Sequence, residues 1–237
     1  MSRHAFTVIL PAAGRSHRFG SGDKLLADLA GMSVLQRAAQ IFTRRDDVTA
    51  MVVATGVDRI ESYRRHLEPV LFGKSLVVIS GGRARWESVY FALINGAIRT
   101  DYVAVHDAAR PLTPPGVIDA AFAGAVEYGA AVPVIPEPTT LKRLDGRQMV
   151  EATVDRAGLY QAQTPQCFRT RLLREAFEKL RALGPLADVT DDAQVVELTG
   201  GRVAGSAGSS RNMKITVGED LSLARAWVGL GISGNEP

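Results

Sequence analysis

The chain has 237 residues, of which 46% are hydrophobic and 22% are charged, a composition typical of a globular protein. Its length suits one α/β domain with a full hydrophobic core. The formal net charge is only +3 and the cations form no long runs, which argues against a nucleic-acid-binding protein and favours anionic small molecules as partners. The single Cys167 excludes a disulfide within the chain and a cysteine-rich metal site.

No apolar stretch of the sequence is long enough to span a bilayer, and the short first apolar run lacks the pattern of a secretory signal. We therefore expect a cytoplasmic protein that has no membrane partner.

The first predicted element is a buried strand at residues 6–10, which is apolar and contains β-branched side chains. A loop rich in glycines and cations follows it and ends at Lys24. Glycines let the backbone approach a ligand closely, and cations neutralise phosphates, so we predict a triphosphate-binding loop. The spacing excludes a P-loop, because Lys24 lies between Asp23 and Leu25, and the dinucleotide fingerprint G-x-G-x-x-G is missing.

Helical and extended patterns then alternate along the chain. Ser33 is placed to cap a helix that runs to about Arg44. Further helices are predicted at residues 58–67, 86–98 and 114–128, and further strands at residues 48–54, 76–79, 103–105 and 130–135. This alternation predicts an α/β fold with a mostly parallel sheet flanked by helices on both faces.

Three of the predicted strands end in polar segments. These segments are the glycine loop, residues 81–85 and residues 106–111. The carboxyl ends of parallel strands lie along one edge of a sheet, so the three segments are expected to build one site.

Residues 139–154 break the alternation and predict a β-hairpin. Asp145-Gly146 lies between two extended runs and favours a type I′ turn. An isolated two-stranded hairpin is marginally stable in water, so we expect it to pack against a second subunit or back on its own domain. Helices follow at residues 171–183, from residue 190 onward, and at residues 220–230, where Thr216 and Glu219 match a capping box.

Six segments together resemble one family of enzymes. They are PAAGRSHRFGSGDK, GGRARWESV, VHDAARP, TVDRAGLYQAQTPQCF, TDDA and NMKITVGEDL. The chain resembles the 2-C-methyl-D-erythritol 4-phosphate cytidylyltransferases of the non-mevalonate isoprenoid pathway. The resemblance implies a single Rossmann-like nucleotidyltransferase domain over residues 1–237, with a protruding β-arm at about residues 137–156 that is used for dimerisation.

The resemblance also implies the reaction. CMP would pass from CTP to the methylerythritol phosphate, and pyrophosphate would leave. Because two anions must meet, positioned cations and Mg²⁺ are the main catalytic requirement, and no covalent nucleophile is needed. The implied partners are CTP, a polyol phosphate and a second copy of the chain, with exchange of the arms.

Motif position assigns roles to individual residues. The resemblance implies catalytic roles for Arg18, Lys24, Arg156 and Lys214. It implies nucleotide contacts for Pro11, Ala12, Ala13, Gly14, Gly82, Arg85, Ser88 and Ala108. It implies substrate contacts for Asp107, Arg110, Thr140, Thr190 and Asp191, with Asp107 also near Mg²⁺.

The first loop departs from the family pattern. Asp23-Lys24-Leu25 replaces the usual Pro-Lys-Gln, and GSGDKLL is more similar to the molybdenum-cofactor nucleotidyltransferases. Two alternatives therefore stay open: a cytidylyltransferase for another polyol phosphate, such as ribitol 5-phosphate, and a non-catalytic nucleotide-binding regulator. The presence of Lys24, Asp107 and Lys214 argues against the regulator.

Overall fold

The computed structural model describes residues 4–14, 19, 22–182 and 189–232. The centre of the predicted triphosphate loop, including Arg15 and Arg18, lies outside these residues. The strands are β1 (Phe6–Ala12), β2 (Asp28–Leu29), β3 (Met32–Ser33), β4 (Val48–Thr55), β5 (Ser75–Ser80), β6 (Tyr102–Val105), β7 (Ala130–Pro136), β8 (Leu141–Leu144), β9 (Val150–Val154), β10 (Tyr160–Ala162), β11 (Gln166–Arg169) and β12 (Ala204–Ala207). The helices are α1 (Val34–Thr43), α2 (Ile60–Leu67), α3 (Arg85–Ile94), α4 (Pro115–Tyr128), α5 (Thr170–Ala182), α6 (Asp192–Leu198) and α7 (Gly218–Gly229).

Within the described residues, eight strands form a central sheet in the order β10–β7–β11–β6–β1–β4–β5, and β12 pairs with β7. Strand β1 pairs in parallel with β4 on one side and with β6 on the other. The chain therefore winds in opposite directions from β1. In an open α/β sheet, ligands bind at the carboxyl ends of the strands beside such a reversal.

The sheet is covered on both faces, as the sequence predicts. Alternate residues of β1 enter different cores: Val8 and Leu10 pack on one face, and Ile9 packs on the other. Helices α1, α2, α4 and α7 contribute to the first core, and α3, α5 and α6 contribute to the second.

The predictions for the first half of the chain are largely confirmed. Ser33 caps α1: its hydroxyl accepts from the Gln36 N–H, and the Gln36 side chain accepts from the Ser33 N–H. The helix predicted to reach residue 98 ends earlier, at Ile94. Three strands of the central sheet were not predicted, namely β10, β11 and β12. Of these, β11 lies antiparallel between β6 and β7.

The predicted hairpin is present, but its turn differs from the prediction. Strands β8 and β9 pair antiparallel. The Gln148 N–H donates to the Asp145 carbonyl, the Asp145 N–H donates to the Met149 carbonyl, and Gln148 has a φ of 64°. The loop therefore has three residues and ends in a left-handed residue, and it is not the two-residue type I′ turn.

The cap of the last helix also needs a correction. Helix α7 begins at Gly218, and the carboxylate of Asp220 accepts the N–H groups of Thr216 and Val217. Asp220, rather than the predicted Glu219, thus reaches back to the preceding backbone, because the helix begins two residues before the predicted start. Within the described residues, no helix combines the length and apolar character needed to cross a membrane.

Candidate active site

The predicted polar segments meet at the carboxyl edge of the parallel strands. They border a cavity of about 400 Å³ beside the ends of β1, β5 and β6. The lining comprises Pro11, Ala12, Ala13, Gly14, Lys24, Leu25, Gly82, Arg83, Ala84, Arg85, Ser88, Asp107, Ala108, Ala109, Lys214 and Thr216. All eight residues predicted to contact the nucleotide are in this set. The described lining residues include four cationic side chains and one carboxylate, so the cavity favours binding of an anion.

Two adjacent glycines are closely packed at the cavity, and the second of them, Gly82, lines it. A Cβ on Gly81 would lie 2.6 Å from the Cβ of Ala13 and 2.7 Å from the Oγ of Ser88. A Cβ on Gly82 would lie 2.2 Å from the Cβ of Glu87. The Gly82 N–H donates to the Ser88 hydroxyl at 3.1 Å. Only glycine fits at both positions, and at Gly82 the backbone itself forms part of the cavity surface.

Asp107 is the centre of a cluster of cations. Its Oδ1 lies 3.2 Å from the Arg85 Nε, and its Oδ2 lies 2.9 Å from the Lys214 Nζ. Oδ2 also lies 3.4 Å from the Nε of Arg110, whose Nη1 donates to the carbonyl of Asn212. Lys214 is half-exposed, with 44% of its side chain accessible, whereas Asp107 is only 10% accessible. The lysine therefore extends from the buried carboxylate to the open side of the cavity.

The cluster keeps Asp107 ionised. Burial by itself raises the pKa of this carboxyl, but the charges of Arg85, Lys214 and Arg110 outweigh burial and hold the pKa well below its usual range. Asp107 is thus an anion at any physiological pH. It fixes three cations, and two of them, Arg85 and Lys214, line the cavity, where their remaining N–H groups can bind phosphate oxygens.

Arg85 connects Asp107 to a second, fully buried carboxylate. Its Nη1 lies 2.7 Å from the Oδ2 of Asp192, the first residue of α6. Burial raises the pKa of Asp192, although the charge of Arg85 opposes this. Burial lowers the pKa of Arg85, but Asp192 and Asp107 together raise it above its ordinary value. The guanidinium is therefore held rigidly at the cavity wall.

Behind Asp107, a neutral histidine belongs to a hydrogen-bonded support. The Thr164 hydroxyl accepts from the Asp107 N–H at 3.1 Å and lies 3.1 Å from the Nδ1 of His106. The Nε2 of His106 is 3.0 Å from the Arg110 carbonyl, which assigns the ring proton to Nε2. Burial lowers the pKa of His106 to about 4, so the ring is neutral at pH 7.

Lys24 reaches the same cavity from the far end of the glycine loop. Its Nζ donates to the carbonyl of Ile215 at 3.0 Å, in the segment that also contains Lys214. Both lysines therefore line the same cavity, and the Lys24 ammonium lies next to the segment that carries Lys214, which suits binding of an anion there.

The other predicted site residues lie elsewhere. Arg18 is outside the described residues. Thr140 and Arg156 are exposed at the base of the hairpin, where the Arg156 Nη1 donates to the Pro138 carbonyl. Thr190 is exposed, and the Asp191 side chain caps α6 by accepting from the Gln194 N–H at 2.9 Å. None of these described residues lines the cavity, and their roles toward substrate stay predictions.

Several residues that support the site were not predicted. Asp192 is the third residue of the TDDA motif, in which only Thr190 and Asp191 had predicted roles. Asn212 is buried and donates to the Thr164 carbonyl at 2.8 Å. This bond connects the segment that contains Lys214 to the residues just before β11. Gln166 accepts the N–H groups of Asp192 and Ala193. A polar residue next to an apolar run can indicate a buried hydrogen-bonding role. The sequence could not identify the partners of these residues, because those partners are distant along the chain.

Comparison with known proteins yields one family. The model of the family "IspD: 2-C-methyl-D-erythritol 4-phosphate cytidylyltransferase" matches residues 6–229. The chain belongs to this family. A 2-C-methyl-D-erythritol 4-phosphate cytidylyltransferase of Syntrophotalea carbinolica is 39% identical over 93% of this chain and 95% of its own. The protein of the same name from Saccharopolyspora erythraea is 40% identical over 92% of this chain and 97% of its own.

The solved structures agree with this assignment. The 2-C-methyl-D-erythritol 4-phosphate cytidylyltransferase of Thermus thermophilus superposes with a TM-score of 0.76 at 33% identity, covering 95% of this chain and 99% of that one. The family resemblance seen in the motifs is confirmed, and with it the nucleotidyltransferase fold. As a cytidylyltransferase, the chain belongs to a class of enzymes that generally use a divalent cation.

Proposed function

We propose that this protein transfers CMP from CTP to 2-C-methyl-D-erythritol 4-phosphate, releasing pyrophosphate, in the non-mevalonate isoprenoid pathway. The observation that supports this most is the cationic cavity at the strand reversal, in a chain whose relatives bear the name of this activity. We infer one nucleotidyltransferase domain with an arm at about residues 137–156. A cytoplasmic location fits the single, buried Cys167.

The chemistry requires charge stabilisation at the α-phosphorus of CTP. A phosphate oxygen of the polyol forms the new P–O bond, and the bond to the leaving pyrophosphate breaks. The attacking phosphate is already an anion, so no general base is needed. Lys24 and Lys214 are proposed to neutralise the equatorial and leaving oxygens, and Arg18 is proposed to act with Lys24.

The proposed nucleotide contacts use the wall of the cavity. Backbone groups at Gly82 and Ala108 and the side chains of Arg85 and Ser88 are available to the base and sugar. Asp107 forms ion pairs with Arg85, Arg110 and Lys214, so the positions of these cations are fixed before substrate binds. Such preorganisation avoids the cost of reorienting charged groups during the reaction.

The site also fits the proposed Mg²⁺. Mg²⁺ is typically bound by one or two carboxylates together with substrate phosphates, and Asp107 is the one carboxylate among the described lining residues. Its oxygens already contact Arg85, Lys214 and Arg110, so the ion would share or replace one of these contacts. Asp107 would hold the ion, which when bound would neutralise phosphate oxygens and orient them.

The polyol phosphate is proposed to bind between the cavity and an arm from the second subunit. Exposed Thr140 and Arg156 lie at the arm and not at the cavity of the same chain, which is the arrangement that arm exchange needs. Arg110, Thr190 and Asp191 are proposed to complete this side of the site. The proposed assembly is a homodimer.

The first experiment measures pyrophosphate release with CTP and Mg²⁺. We expect kcat/KM for methylerythritol 4-phosphate to exceed that for ribitol 5-phosphate by a large factor. Preference for ribitol 5-phosphate would support CMP transfer from CTP but contradict methylerythritol 4-phosphate as the acceptor. Binding of CTP without turnover on either acceptor would contradict the proposed activity.

A mixed-dimer experiment tests sharing of the site. Lys24→Ala and Arg156→Ala are each expected to be nearly inactive alone. If Arg156 serves the neighbouring subunit, mixing the two variants restores up to about a quarter to a half of the activity, because one site in a heterodimer contains both native residues. Failure to recover activity, with subunit exchange verified by tagged chains, would assign both residues to one chain.

A further inference from the structure

The carboxylate of Asp23, the residue directly before Lys24, is bound by side chains from a distant segment. The Tyr63 hydroxyl donates to the Asp23 Oδ2 at 2.6 Å, and the Arg59 Nη1 lies 3.4 Å from the same oxygen. The Asp23 Oδ1 accepts the N–H of Leu25 at 3.0 Å. Both carboxylate oxygens are in use, so the backbone on either side of Lys24 is fixed.

Arg59 binds the other end of the glycine loop as well. Its Nη2 donates to the carbonyl of Ala13 at 2.9 Å. Ala13 lies at the start of the loop and Asp23 lies near its end, while Ala13 and Lys24 both line the cavity. One guanidinium therefore sets the distance between the two ends of the loop, a role that its planar array of donors suits.

The cluster of Asp23, Arg59 and Tyr63 is shielded from water. Tyr63 on α2 is fully buried, and the side chains of Arg59 and Asp23 are about one-fifth exposed, at 20% and 19%. The guanidinium carbon of Arg59 lies 5.6 Å from the centre of the Tyr63 ring. Burial raises the pKa of Tyr63, so its hydroxyl remains a donor at physiological pH. The 2.6 Å Tyr63–Asp23 distance is that of a charge-assisted hydrogen bond, whereas the 3.4 Å Arg59–Asp23 contact is a longer ion pair.

We propose that Asp23, Arg59 and Tyr63 are positioning residues that hold Lys24 and the start of the nucleotide wall in place for CMP transfer. The inference rests on the proposed catalytic role of Lys24. It also gives a reason for the Asp23-Lys24 departure from the family pattern, because this chain supplies the partners of Asp23 on and beside α2. A misplacement of about 1 Å can cost about a hundredfold in rate, so the geometry at Lys24 matters.

Two conservative variants test the cluster. Tyr63→Phe removes one hydroxyl, and Asp23→Asn removes one charge at constant size. We expect each to lower kcat about tenfold while KM for CTP changes less than about twofold, since Lys24 acts on charge that develops in the transition state. Tyr90→Phe, at another buried tyrosine, is the matched control and should leave kcat unchanged. Native kcat in both variants would overturn the proposal.

Arg59 should give a different pattern, because it holds both ends of the loop. Arg59→Ala is expected to lower kcat and to raise KM for CTP, since the Ala13 wall also loses its support. Arg59→Lys should not restore activity, because one ammonium cannot bridge Ala13 and Asp23. The control is Arg64→Ala, at an exposed arginine of α2. Full rescue by lysine would contradict the bridging role.

A double-variant cycle separates this inference from the proposed role of Lys24. In the native background we expect Asp23→Asn to cost about tenfold in kcat, and in the Lys24→Ala background to cost almost nothing, because the group it positions is gone. An undiminished loss in the second background would overturn the positioning role. If Lys24→Ala alone retains native turnover, the proposed role of Lys24 fails instead. CTP binding by calorimetry confirms that each variant is folded.

Discussion

At the scale of single residues, the candidate site is organised by buried carboxylates. Asp107 holds three cations, and Asp192 fixes Arg85 from behind. A buried charge is costly unless it is paired, so each of these carboxylates is stable only with its partners in place. The stability of the protein should therefore respond to the charge of Asp192 and to the protonation of the neutral His106 beside Asp107.

Removing the charge of Asp192 should affect both stability and catalysis. Asp192→Asn leaves Arg85 with Asp107 alone, and we expect the free energy of unfolding to fall by about 2 kcal/mol. KM for CTP should rise as Arg85 loses its fixed position. Urea unfolding and steady-state kinetics measure the two effects. Asp119→Asn is the control, since Asp119 is exposed and Arg45 keeps its second partner, Asp47, so we expect a loss of under about 1 kcal/mol.

His106 should make the protein acid-sensitive. Its pKa is about 4 in the folded protein and about 6.5 when unfolded, so the unfolded chain binds more protons between these values. Stability from neutral His106 is therefore complete above about pH 6.5 and is lost as the pH falls toward 4, by about 3 kcal/mol. Urea unfolding from about pH 7 to pH 4 should show this slope in the native chain and a flatter one in His106→Gln. Parallel slopes would refute the assignment.

At the scale of elements, local sequence decided the ends of some helices and tertiary contacts decided others. The Ser33–Gln36 capping box starts α1 where the sequence predicts. The corresponding box at Thr216 was wrong, because Asp220 reaches the backbone instead. Both Glu219 and Asp220 are acceptors at neighbouring positions, and only the course of the preceding chain selects between them.

The Ser33 cap of α1 should make a measurable contribution to the free energy of unfolding. Ser33→Ala removes the hydroxyl that accepts the Gln36 N–H at 3.1 Å, so we expect a loss of about 1 kcal/mol in the free energy of unfolding. Thermal or urea unfolding measures it, and kcat should stay native. Ser222→Ala, at an exposed position within α7, should change stability by less than about 0.5 kcal/mol. Equal effects of the two changes would argue against the cap.

At the scale of the whole molecule, the arm formed by β8 and β9 exposes three large apolar side chains. Leu144, Met149 and Val150 are 46%, 65% and 61% exposed. A two-stranded hairpin has little stability of its own, and exposed apolar patches are typical of interaction sites. This supports the proposed dimer.

We expect charged substitutions on the arm to dissociate that dimer. The Met149→Lys, Val150→Lys double variant places two like charges in the proposed interface, so sedimentation at micromolar concentration should shift from dimer to monomer, with loss of activity. Leu230→Lys, at a 77% exposed position far along the chain, is the control and should remain dimeric. A native chain that sediments as a monomer would contradict the proposed assembly.

The sequence by itself determined the alternating α/β pattern, the glycine and cation segments at strand ends, and the family. These features are local: a β-branched run, a cap or a motif needs no distant partner to be recognised. The existence of the β8–β9 arm was predictable for the same reason, although its turn was not, because φ at Gln148 depends on how the two strands register.

Only the tertiary structure decided which charges meet. Arg85 and Asp192 are far apart in sequence, as are Arg59 and Asp23, yet each pair is in contact. Likewise, β11 enters the sheet antiparallel between β6 and β7, a placement that its short sequence does not encode. Pairings of this kind result from the packing of whole elements, so sequence periodicity supplies the candidates and the fold selects among them.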